Sequence, residues 1–181
     1  MIMGKTKEEI VDVLLKEYAR WYDVKRVNNK GSLIAEGEFH EQGTGYVLVR
    51  KAEMWSAESH EYLFVFSADH LDPEKYEACL AEARELGEAR IVPGRDHKSS
   101  YVTMLIVCNT ADEEALKKLR KCRVRKSFRF SLHGWMEVHT AAVRADDGFI
   151  VSNGDGRRTA EFLKSVLYPR KKDLRYRIFK Y

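Results

Sequence analysis

Apolar positions in the first third of the chain change their period. Ile10, Leu14, Tyr18 and Trp21 recur at helical spacing, and Val11 and Leu15 widen the stripe. Thr6-Lys7-Glu8-Glu9 ahead of them has the Ser/Thr-x-x-Glu form of a capping box, in which side chains satisfy the free amides of a helix start. The pattern predicts an amphipathic helix over residues 6–22. Residues 24–27 can start a strand, but Asn28-Asn29-Lys30-Gly31 is turn chemistry. From 33 to 40 the period is two. Leu33, Ala35, Gly37 and Phe39 share one side, and Ile34, Glu36, Glu38 and His40 share the other. Gly43-Thr44-Gly45 leads into a second β-rich run over 46–55, and a third covers 61–66. Connections this short predict an antiparallel meander.

Helical spacing returns after Asp72-Pro73, an N-cap with proline at the first helical position. Tyr76, Leu80, Ala83 and Leu86 mark the inner face of this second helix, and Gly87 is expected to end it. Residues 88–99 read as a loop. Residues 101–108 are apolar on both parities apart from Thr103, as in a strand covered on both faces. Thr110-Ala111-Asp112-Glu113 repeats the capping box before a third helix over 111–121. Residues 128–132 and 135–144 read as strands joined at His133-Gly134. A short run over 149–152 and a helix over 160–167 complete the pattern. Helices alternating with β-rich runs predict a single α/β (α+β) domain. Its mixed central sheet begins as an antiparallel three-strand meander, with helices covering both faces. Residues 1–168 are assigned to that domain, and residues 169–181 to a basic extension or edge strand.

A chain of 181 residues has the size of one domain, which at this length buries roughly 70% of its unfolded surface without a disulfide or metal staple. Cys79, Cys108 and Cys122 are odd in number and form no CxxC pair, so they read as inert thiols in a reducing cytoplasm. The longest apolar runs fall far short of the roughly 20 residues that span a bilayer. No membrane association is expected. Rossmann, P-loop and GxSxG patterns are all absent from the sequence, and no cofactor is expected.

The net charge is only +4, but it is unevenly spread. Lys117, Lys118, Arg120, Lys121, Arg123, Arg125, Lys126 and Arg129 form a run without an acidic residue between 117 and 129. Arg170, Lys171, Lys172, Arg175, Arg177 and Lys180 cluster near the end, interleaved with Tyr168, Tyr176, Phe179 and Tyr181. Such clusters neutralise phosphates, and interleaved aromatic rings stack on bases. Lys121, Arg123, Arg125, Lys126, Arg129 and Arg175 are the candidate nucleic-acid contacts. Glu36 and His40 on one predicted strand, with Glu137 and His139 on another, are the alternative metal ligands, since carboxylates and imidazoles bind transition metals. Simple alternation on the wet face of a sheet explains their spacing equally well, and no metal is assigned.

Three passages carry a resemblance: Ser99-Ser100-Tyr101-Val102, the stretch from Lys126-Ser127-Phe128 to Gly134-Trp135, and Asp147-Gly148-Phe149-Ile150 followed by Asn153. Together they resemble a family of uncharacterised proteins of anaerobic bacteria and archaea, a domain of unknown function, over residues 8–165. That resemblance implies no activity. The order helix, three strands, helix, strand also looks like the restriction-endonuclease-like core. Enzymes of that kind carry an acid on one meander strand, then an acid or Gln, a spacer and a Lys. Here Glu38 and Val49-Arg50-Lys51 are the best local match. Valine cannot coordinate a hard cation, which requires oxygen ligands. Glu53 could substitute only if the ligand moved along the strand. The sequence therefore favours a non-catalytic binding or regulatory module for nucleic acid or another polyanion, its protein partners unknown. A metal-dependent nuclease using Glu38, Glu53 and Lys51 is the alternative.

Overall fold

The computed structural model describes residues 4–28, 31–39, 59–94 and 97–169. Its elements run α1 (Lys7–Tyr18), β1 (Tyr22–Arg26), β2 (Leu33–Phe39), β3 (Ser59–Leu71), α2 (Pro73–Arg90), β4 (Ser99–Ala111), α3 (Glu113–Lys121), β5 (Arg125–Ser127), β6 (Trp135–Arg144), β7 (Ile150–Ser152) and α4 (Arg157–Leu167). The strands form one seven-stranded sheet in the order β1-β2-β3-β4-β6-β5, with β7 also paired to β6. β1, β2 and β3 are antiparallel, whereas β3, β4 and β6 are mutually parallel. Parallel neighbours need a crossover, and α2 and α3 supply the two that are required.

Both crossover helices lie on one face of the sheet. There Tyr76, Cys79, Ala83, Leu116 and Leu119 pack on Phe64, Phe66, Val102, Met104 and Val138. On the other face, Ile10, Leu14 and Tyr18 of α1 and Leu163 and Val166 of α4 pack on Leu63, Val65, Leu105, Val107 and Ala141. β4 is therefore covered twice, as its apolar run predicted, and Leu105 and Ile106 are fully buried. Cys79, Cys108 and Cys122 are free and buried. Burial pushes the thiols of Cys79 and Cys108 up to about 11. No helix among the described residues is long and apolar enough to cross a membrane.

The local structure departs from expectation in four places. The first helix stops at Tyr18, because Tyr22 and Val24 pair with Phe39 and Gly37 and sheet bonding takes over. β1 is thus a member of the antiparallel meander, while the run over 46–55 lies outside the described residues. Gly87 does not end α2, which continues to Arg90; it is buried where a Cβ would come within 2.5 Å of Val102 Cγ2. Thr110 caps no helix. It remains in β4 with its Oγ1 2.8 Å from His70 Nδ1, and α3 starts after Asp112. Finally, residues 128–132 form a turn instead of a strand.

Candidate nucleic-acid interface

α3 is polarised along its length. Glu113 and Glu114 occupy the first turn, and Lys118, Arg120 and Lys121 the last, as the helix dipole favours. Ala115, Leu116 and Leu119 face the core, which turns the remaining positions outward. A groove of about 820 Å³ runs between α2 and α3. Its lining combines Tyr76, Leu80 and Val124 with the cations Lys117, Lys121 and Arg123 and the carboxylates Glu77, Glu113 and Glu114. The Tyr76 hydroxyl is buried without a hydrogen-bond partner among the described residues. Some of the basic run is already neutralised. Lys118 pairs with Glu77 at 2.9 Å, Arg120 with Glu113 at 3.6 Å and Lys126 with Glu88 at 2.6 Å. Lys117, Lys121, Arg123 and Arg129 have no acidic partner among the described residues.

Asn153 fixes the segment that carries Arg123. Its side chain accepts from the backbone N–H of Thr140 at 3.0 Å and of Gly156 at 2.7 Å. It donates to the carbonyls of Cys122 at 3.0 Å and Val138 at 3.1 Å. β5 pairs with β6 only over residues 135–137, and β7 only over 141–143. Asn153 fills the gap between them and ties the end of α3 to the edge of the sheet. The bond from the Gly156 amide, three positions on, is local turn chemistry; the other three partners lie 13 to 31 positions away and leave no local signal.

β5 divides the basic run between the two sides of the sheet. Arg125 stands opposite Glu137, with its guanidinium 4.1 Å from the centre of the Trp135 ring. Lys126 stands opposite Met136 and reaches Glu88 on α2. The chain then enters a turn in which Arg129, Phe130 and Ser131 have φ of 45°, 55° and 68°. Left-handed backbone costs a non-glycine residue roughly 1–2 kcal/mol. Backbone bonds from Phe128 to Gly134, His133 to Phe128 and Leu132 to Arg129 hold the turn in that form. His97 Nδ1, 2.8 Å from the His133 carbonyl oxygen, secures its base. The side chains of Phe130 and Leu132 are left 99% and 77% exposed.

Of the alternative metal ligands, Glu36 is not brought together with Glu137 and His139. Glu36 pairs in register with Phe64 and Glu38 with Tyr62, which puts both on the α2 face. Arg90 of α2 pairs with Glu36. Glu137 and His139 pair in register with Tyr101 and Thr103, on the α1 and α4 face. Two strands and the thickness of the sheet therefore separate Glu36 from Glu137 and His139. His40, Lys51, Glu53 and Arg175 lie outside the described residues. No group of three metal-binding side chains converges among the described residues.

His139 and Glu137 instead belong to a polar centre that sequence reading identified only in part. His139 Nε2 lies 3.0 Å from Glu137 Oε1. On the same face Thr103 Oγ1 donates to Glu61 Oε1 at 3.3 Å, and the Tyr22 hydroxyl turns to the same carboxyl. Burial raises the Glu61 carboxyl above its ordinary value; Tyr22, His139, Thr103 and Arg158 oppose that shift only in part. Glu61 is the third residue of β3 and precedes an apolar run, where alternation gives no reason to single it out.

No curated protein matches the chain, and no solved structure does. A family model described as a domain of unknown function (DUF8052) matches residues 6–165. That span includes α1, the sheet, both crossover helices and most of α4, together with the groove, the turn and Asn153. The chain belongs to the DUF8052 family.

Proposed function

We propose that this protein is a binding module for nucleic acid or another polyanion, without catalysis of its own, working in a reducing cytoplasm. The observation that carries the reading is the groove between α2 and α3. Lys117, Lys121 and Arg123 border it without acidic partners among the described residues, while neighbouring cations are tied to Glu77, Glu113 and Glu88. Unpaired cations fixed on a folded groove can take phosphates with little loss of internal contacts. Each phosphate neutralised releases counterions, so affinity must fall steeply with salt.

The test is fluorescence anisotropy with a labelled oligonucleotide at about 50 and about 200 mM salt, the range over which several phosphate contacts cost orders of magnitude in affinity. Lys121→Glu with Arg123→Glu should weaken binding to all sequences about equally, because phosphate contacts position rather than specify. Absence of binding at low salt, or binding indifferent to this double reversal, would reduce the groove to ordinary surface.

A second reading is a nuclease on a restriction-endonuclease-like core. The strand order favours it, since an antiparallel meander is followed by a helix and a strand parallel to β3. Its chemistry would need Glu38 with Glu53 and Lys51. Incubation with plasmid, linear DNA and RNA in Mg²⁺ or Mn²⁺ separates the two readings. Cleavage lost on Glu38→Ala would replace the binding module with the nuclease.

A further inference from the structure

We infer that the turn between β5 and β6 is a base-stacking tip for single-stranded nucleic acid. In this arrangement Phe130 lays its ring on an unpaired base, Arg129 holds a phosphate beside it, and Arg123 takes a phosphate farther along the strand. The inference rests on the polyanion-binding reading above and names the polyanion.

Phe130 is 99% exposed and Leu132 77%, so neither side chain serves the core. Exposure here is imposed by the backbone. Three consecutive non-glycine residues keep positive φ, and a set of backbone bonds holds them there. The ring is therefore presented on a rigid base. Its neighbours in the chain are cationic, with Arg129 adjacent and no acidic residue back to position 117. β5 is three residues long. Phe130 follows Arg123 by seven residues, a stretch of at most about 25 Å when fully extended, so one single strand can reach from the tip to the Arg123 end of the groove.

Charge selects an anionic occupant. Two apolar side chains are too few for a stable protein interface, which uses roughly 20–30 residues on each side. Phenylalanine reads no base edge, because it has no hydrogen-bonding group. It offers only a face, and base faces are free in a single strand but stacked in a duplex. Stacking on an aromatic ring combined with nearby cations is how single strands are bound without sequence preference.

The experiment compares fluorescein-labelled oligothymidylate, a duplex of equal length, heparin and phosphatidylglycerol vesicles on the intact protein. Wild type is set beside Phe130→Ala, Phe130→Tyr and the Lys121→Glu, Arg123→Glu double variant. Oligothymidylate should bind more tightly than duplex. Phe130→Ala should weaken it roughly 5- to 150-fold, the range for loss of one base stack. Phe130→Tyr should restore it, and heparin binding should be the same with either residue. Circular dichroism of Phe130→Ala should match wild type, since the ring supports nothing. If the polyanions bind and the double reversal weakens them while Phe130→Ala changes nothing, the tip is wrong and the binding module stands. Preference for duplex, or vesicle binding lost in Phe130→Ala, would also overturn the tip. If no polyanion binds, the groove reading fails and the tip falls with it.

Discussion

Asn153 is 2% exposed and makes four side-chain hydrogen bonds, all to backbone. Alanine there would leave two amides and two carbonyls without partners in the interior. Each buried group so stranded costs roughly 1–3 kcal/mol. Asn153→Ala should therefore lower stability by about 3 kcal/mol or more, read from the midpoint of urea unfolding. A loss under about 1 kcal/mol would show that water replaces the amide freely. Glu61 makes a different prediction. Its folded carboxyl titrates above its ordinary value. Below the unfolded value the group is protonated in both states and costs nothing. As pH rises through the folded value, ionisation favours the unfolded chain and stability is lost. Asp69, Glu88 and Asp147 are shifted down by Lys7, Lys126 and Arg144, so their contributions fade instead as pH falls. Glu61→Gln keeps a polar group against Thr103 and removes the titration. The thermal midpoint of wild type minus that of Glu61→Gln should fall as pH rises above the ordinary glutamate value. A difference independent of pH would remove Glu61 from the titrating core.

At the level of elements, period and caps located most of what is observed. Thr6 and Glu9 form the expected capping box, and the Asp72 side chain accepts from the Lys75 amide at 2.7 Å. β6 spans residues 135–144, as its pattern predicts. The misreadings share one cause, that local pattern does not report what packs against it. Phe128, Phe130 and Leu132 alternate like a strand, yet only Phe128 packs against the core. Gly87 resembles a helix stop, but it marks a close approach of α2 to β4. Alanine is ordinarily better than glycine inside a helix by about 1 kcal/mol. Here its Cβ would meet Val102 Cγ2 at 2.5 Å, and overpacking costs roughly 1–3 kcal/mol. Gly87→Ala should thus be destabilising, and Val102→Ala in the same chain should recover part of the loss by opening space. Additive losses in that double-mutant cycle would mean that the contact is relieved in some other way.

Over the whole molecule, the basic run was legible in the sequence but its distribution was not. Parity in a three-residue strand sends Arg125 and Lys126 to opposite sides, and this depends on how Asn153 anchors the segment before it. Charge reversal at Arg125, stacked on Trp135 away from the groove, should therefore weaken oligonucleotide binding much less than reversal at Lys121 and Arg123. Equal effects in the same anisotropy titration would place the ligand across the sheet edge instead of along the groove. Glu36 lies apart from Glu137 and His139 for a related reason, since strand order and face are not local properties. Asn153 has a consequence for motion as well. Proteins open in cooperative units, each with its own free energy of hydrogen exchange. One amide group here serves the end of α3, the middle of β6 and the entry to α4. Those three regions cannot fray independently; the amides of Thr140 and Gly156 become accessible to solvent together, when this side chain lets go.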